Sequence, residues 1–163
     1  MQVAGVDELN AGDPVEVAEA NALRKATAVP GTAVPGTVVM GVGTVVALDD
    51  RIYGKPSGAE EAHGMLQALA GRTHTVVSGL ALLRDGEPTV QQATTEVTFR
   101  SVDPEVLRWY VGTGEWEGRA GGYAIQGRGA ALVAAITGDY LNVVGLPVAA
   151  LLDAAPGLLR AAR

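Results

Sequence analysis

The apolar positions change period several times along the chain. Val15, Ala18, Ala22, Ala26 and Val29 fall on one helical face. Asp13, Pro14 and Glu16 supply an N-cap, a first-turn proline and a capping-box acid for that helix. Thr37 to Leu48 is rich in valine and reads as a buried strand, interrupted by Gly41 and Gly43. Asp49-Asp50 predicts a turn, and Arg51 to Tyr53 a short return strand. Ser57-Gly58-Ala59-Glu60 reads as a second capping box, opening a helix whose apolar face is Ala59, Ala62, Leu66 and Leu69. Gly71 is its stop.

The second half is richer in strand patterns. Thr73 to Leu83 and Thr89 to Val102 flank Asp85-Gly86, a hairpin-turn pair. In the latter, Thr95, Val97 and Phe99 alternate with Glu96, Thr98 and Arg100. Asp103-Pro104 opens a third helix that buries Val106, Leu107, Tyr110 and Val111. A glycine-rich loop, a strand from Ala130 to Ile136, a Gly138-Asp139 turn and a last helix interrupted by Pro156 complete the order. No internal repeat is visible. The pattern predicts a single α/β domain over residues 1–163, with a twisted mixed sheet and flanking helices.

Composition narrows the partners. The chain has 163 residues, no cysteine and a formal net charge of −6. Disulfides and thiolate metal sites are excluded, and an acidic chain is a poor general nucleic-acid surface. A few local cations can still hold a small anion. Apolar runs such as Ala130 to Ile136 fall far short of the ~20 residues of a membrane span. No basic-then-apolar leader is present. The expected location is cytoplasmic.

Candidate chemistry centres on Ala120 to Gly129, which packs four glycines around Tyr123 and Gln126. Such a run suits either a sharp reversal or close backbone approach to a ligand. Gln126 offers two donors and a carbonyl acceptor from one side chain. The dinucleotide fingerprint fails, because Leu132 stands where its third glycine belongs. Gly54-Lys55-Pro56 is no phosphate loop, since Pro56 replaces the required Ser or Thr. Pro56 does bias Lys55 to an extended backbone, which aims a lysine into a cleft or ends a strand. Lys25 suits the negative end of the first helix. His63 and His74 have no partner at metal-ligand spacing, and His63 is expected to face solvent.

Several segments in fixed order carry more. Gly54-Lys55-Pro56, Leu69 to His74, Thr95 to Arg100, Tyr110 to Glu115, Ala120 to Gly127 and Gly138-Asp139-Tyr140 through Pro147 resemble the Maf family of nucleoside triphosphate pyrophosphatases. The resemblance implies an elongated α/β domain with a deep cleft, similar to inosine triphosphate pyrophosphatases. It implies hydrolysis between the α and β phosphates with a divalent cation, Mg²⁺ or Mn²⁺. Glu8 and Lys55 are implied as catalytic, with Glu8 also on the metal side. Lys25, Thr44, Arg72, Thr73 and Gln126 are implied as substrate-binding. Arg72-Thr73-His74 and the Tyr123-to-Gln126 run look like the dTTP/UTP branch, so pyrimidine nucleoside triphosphates are the expected partners, with a homodimer as the expected assembly.

Two departures temper this expectation. The family's Ser-x-Ser-Pro-Arg-Arg loop has no counterpart in residues 1–163, and Gly43 stands where the family has its proposed general-base aspartate. Glycine can neither take a proton nor bind a metal through a side chain. The expectation is therefore an impaired pyrophosphatase that an aspartate at position 43 would help. The alternative is a non-catalytic nucleotide-binding or regulatory protein on the same scaffold.

Overall fold

The computed structural model describes residues 5–29 and 36–159. Helix α1 (Pro14–Thr27) starts where the sequence places it, with the Asp13 carboxylate accepting from the Val15 and Glu16 backbone N–H groups. The sheet comprises β1 (Val38–Leu48), β2 (Arg51–Tyr53), β3 (Thr73–Arg84), β4 (Glu87–Phe99) and β5 (Val133–Thr137), in the order β2-β1-β3-β4-β5. Helices α2 (Ala59–Leu69), α3 (Pro104–Gly112), α4 (Tyr140–Val144) and α5 (Val148–Ala154) flank it. The α/β class and the flanking helices are as expected. The sheet is not mixed: its four described pairings are all antiparallel. Two tight turns force much of this. Asp49 adopts φ 53°, and Asp85 and Gly86 adopt φ 51° and 87°, so β1 folds onto β2 and β3 onto β4 directly.

The opposite faces of the sheet are built differently. On one, large apolar side chains from α2, α3 and the strands form the main core, including Leu66, Leu69, Val76, Phe99 and Tyr110. On the other, α1 lies with its backbone almost on the strands. A Cβ at Gly43 would sit 2.5 Å from the Ala18 carbonyl oxygen, and one at Gly79 equally close to the same atom. Gly41 is wedged against the Ala22 carbonyl. Ala18, Ala22 and Ala26 complete this seat and are fully buried. The glycines interrupting β1 are thus packing features, since any side chain there meets helix backbone.

Three local expectations change. The α2 N-cap is Gly58, and the Ser57 backbone N–H and hydroxyl instead donate to Glu61 at 2.8 and 2.6 Å, one residue beyond the box spacing. The strand expected from Ala130 begins at Val133, because Arg128–Leu132 coils as a 3-10 helix in which Gly129 abuts the Ala124 carbonyl. Helix α4 has only five residues, too few for a periodic signal. Asp139 caps it, Gly145 ends it at φ 114°, and Asn142 ties it to the Val76 carbonyl. No described helix is long and apolar enough to cross a membrane.

Candidate functional site

Successive side chains of β1 point to opposite faces. Gly41 and Gly43 face α1, so Val42, Thr44 and Val46 face a cleft of about 260 Å³ on the other side. The glycine-rich loop after α3 forms the facing wall with Tyr123 and Gln126, and α4 contributes Val143 and Val144. Glu8, Lys25, Lys55 and Arg119 bring the charge. A second chamber of about 460 Å³ shares Glu8, Thr44, Lys55 and Ala120 with the first, and Arg51 lies on its wall. The Glu8 and Lys55 side chains therefore stand where the two chambers meet.

Glu8 joins the two lysines. Its Oε1 lies 2.6 Å from Lys25 Nζ and 2.7 Å from Lys55 Nζ. β2 covers β1 only from Val46 to Leu48. The rest of that edge is open to α1, and Lys25 reaches round it to donate to the Val42 carbonyl at 2.9 Å. Glu8 is placed by its neighbour, since the Leu9 N–H and carbonyl bond the buried Asn21 amide at 2.7 and 2.9 Å. Burial opposes charge on Glu8. The hydrogen bonds and fields of Lys25 and Lys55 outweigh it and hold the carboxyl below its usual range.

Tyr123 lines the cleft and is backed by buried aromatic rings. Buried His74 meets the Tyr123 hydroxyl through Nε2 at 2.9 Å and packs edge-on against Phe99 and Tyr123. Burial lowers the His74 pKa to about 4, so the ring is neutral at pH 7. Its Nδ1 has no partner. A bare lone pair is a milder defect than a bare N–H, which assigns the proton to Nε2 as donor to Tyr123. Burial, assisted by Tyr110, pushes the Tyr123 phenol up and keeps it protonated. Thr44 shares a 2.8 Å hydrogen bond with Ser78.

The structure thus gathers Glu8, Lys25, Lys55, Thr44 and Gln126 into one cleft. Arg72 and Thr73 lie elsewhere. Arg72 makes a two-pronged contact with Asp49 at 2.8 and 2.9 Å, Thr73 pairs with the Thr98 hydroxyl at 2.8 Å, and both line a separate cavity. Strand alternation turns Thr73 away from the cleft, since His74 and Val76 take the opposite side of β3, while Arg72 precedes β3 and is held by Asp49 in the β1–β2 turn. Arg119 is the addition among the charged residues, and it has no periodic signal; Tyr123, the aromatic of the glycine run, joins the cleft wall beside Gln126. Position 43 also changes meaning. It faces α1, where a side chain has no room, rather than the cleft.

A cleft with three cations and one carboxylate, in a chain of net charge −6, is built for an anion. The profile described as Maf-like protein matches residues 1–156. The chain belongs to the Maf family. It is 48% identical over 148 residues to the dTTP/UTP pyrophosphatase of Symbiobacterium thermophilum, covering 90% of this chain and 76% of that one. With the dTTP/UTP pyrophosphatase of Pelotomaculum thermopropionicum it shares 46% identity over 157 residues, covering 94% and 82%. With that of Pyrococcus furiosus the identity is 41% over 147 residues, covering 87% and 74%.

The Maf cleft offers little to a divalent cation by itself. Among the described residues no group of three acidic or histidine side chains could hold one. Glu8 is, among the described residues, the one carboxylate lining the cleft, and both lysines engage its Oε1, leaving Oε2 as the available donor. That set fits Mg²⁺ only as an ion arriving with phosphate oxygens, the usual habit of magnesium in phosphate sites.

Proposed function

We propose that this Maf protein binds pyrimidine nucleoside triphosphates, dTTP and UTP, and cleaves them slowly to the monophosphate and pyrophosphate. The observation that carries the reading is the Lys25-Glu8-Lys55 cluster facing Gln126 across one cleft. The names of the relatives supply the substrate class.

The lysines and Arg119 neutralise the triphosphate. Gln126 on the rim presents an amide that complements the N–H and carbonyl edge of uracil or thymine. Tyr123, lining the cleft, keeps a neutral hydroxyl. In the reaction, water attacks the α-phosphorus, the α–β bridging oxygen leaves with pyrophosphate, and the attacking water's proton passes to solvent water or, inefficiently, to the Glu8 carboxylate. Mg²⁺, held by phosphate and Glu8 Oε2, would add charge neutralisation on the phosphates.

The proposed slowness rests on the base. Among the described residues Glu8 is the only carboxylate lining the cleft, and a carboxyl held low by two ammonium groups is a weak proton acceptor. Absence of a positioned base removes ~10²–10⁴-fold in rate. The same observation supports a second reading, a nucleotide-binding protein without turnover. Calorimetry with UTP, dTTP, GTP and uridine, beside a pyrophosphate-release assay, tests both. Pyrimidine triphosphate binding with slow release is the expected result. No binding of any pyrimidine nucleotide at millimolar concentration rejects both readings.

A further inference from the structure

The glycine loop is held from below by side chains that the proposed chemistry does not use. The Arg128 backbone N–H donates to Glu115 Oε2 at 2.6 Å. The same carboxylate lies against the α-carbon of Gly127, where any Cβ would overlap it. On the other side of Gln126, the Ala124 N–H donates to the Tyr110 hydroxyl at 2.9 Å. Gly129 leaves room for that hydroxyl and for the Ala124 carbonyl, which a Cβ would approach to 3.1 and 2.5 Å. Glu115 is itself placed, because its N–H donates to the Thr113 hydroxyl, which donates to the Tyr110 carbonyl at 2.6 Å.

Two supports therefore bracket Gln126, one at Ala124 and one at Arg128. Tyr110 is wholly buried and belongs to the core. Glu115 is not a core residue: its side chain is 28% exposed, and its partner is a backbone amide 13 residues away. Its guanidinium contact with Arg128 is long, at 3.9 Å. The short bond is the one to backbone, and an acceptor that is ionised makes it a strong one.

We infer that Glu115 is a positioning residue for base recognition. Its carboxylate fixes the backbone on the C-terminal side of Gln126 and so aims the Gln126 amide at the nucleobase. The inference rests on the proposed reading that Gln126 meets the base. It also accounts for Gly127 without any ligand: the glycine makes room for the carboxylate.

The test uses Glu115→Ala, Glu115→Gln and Gln126→Ala in the full chain, with UTP and base-free tripolyphosphate as probes in calorimetry. NMR of the free protein follows the Arg128 backbone amide and the Gln126 side-chain amide. Glu115→Ala is expected to move both amide signals and to weaken UTP about tenfold, while tripolyphosphate binding stays within about twofold. Glu115→Gln keeps an acceptor and is expected to recover most of the UTP affinity. A merely structural role would weaken both probes together and would gain nothing from glutamine, and either result overturns the inference. Unmoved Gln126 signals in Glu115→Ala also overturn it, whatever the nucleotides do. UTP binding indifferent to Gln126→Ala instead defeats the underlying base reading, leaving the NMR arm to judge positioning alone.

Discussion

The Glu8 carboxylate and the Lys25 ammonium meet at 2.6 Å across the open edge of β1, joining an irregular N-terminal segment to the last turn of α1. Lys55 closes on the same oxygen. An incoming triphosphate must compete with Glu8 for both cations. Glu8→Gln is therefore expected to strengthen metal-free tripolyphosphate binding about threefold or more, an effect that shrinks with added salt. Titration calorimetry at two salt concentrations checks it, and weaker binding by the variant would contradict the picture.

The same triad sets an acid limit. Because the folded carboxyl is held below its ordinary value of 4.5, the unfolded chain takes up that proton first as pH falls. The Glu8 contribution is present above about pH 4.5 and drains away as pH drops through the folded value. Urea unfolding across pH 3–6 is expected to show this acid loss in the native chain and less of it in Glu8→Gln.

His74 acts higher on the pH scale. Its pKa is lowered from 6.5 to about 4 by burial, so the unfolded chain binds the proton that the fold excludes. Stability is complete above pH 6.5 and declines as pH falls toward 4. The gap corresponds to about 3 kcal/mol. His74→Phe is expected to flatten this slope in denaturant melts, even if its overall stability is lower through loss of the Tyr123 bond. An unchanged slope would place the titrating group elsewhere.

Gly43→Asp is expected to destabilise rather than to supply a base. Its Cβ would meet the Ala18 carbonyl oxygen at 2.5 Å and the Ala22 nitrogen at 2.8 Å, with the carboxylate driven into the α1 seat. Overpacking of this kind costs about 1–3 kcal/mol, before any charge burial. A thermal melt beside a pyrophosphate assay decides. A variant of native stability with raised turnover would show that α1 yields at this point.

Much of this architecture was legible in the chain. Asp13 capped α1 as read, and Asp85-Gly86 made its hairpin, because both signals are local. Glu8, Lys25, Lys55, Thr44 and Gln126 converge on one cleft, although their positions span most of the sequence. Arg72, just before β3, is drawn instead to Asp49 in the β1–β2 turn. Thr73 does not join them, because the face a strand residue takes depends on register, and a one-residue step reverses it. Gly43 was open to misreading for the same reason: its chemistry could be named from its type, its direction only from α1. Glu115 stood in a segment that carries the resemblance, but its role left no trace, since a carboxylate bonded to backbone 13 residues away has no period to follow.

The proposed function requires a cleft that binds a pyrimidine triphosphate but lacks a free base. Pyrophosphate released from saturating UTP with Mg²⁺, per protein molecule, tests it most directly. Turnover well below the ordinary enzyme range of ~1–10³ s⁻¹ is expected. Turnover within that range would contradict it, and would mean that Glu8, despite both lysines, serves as an effective base.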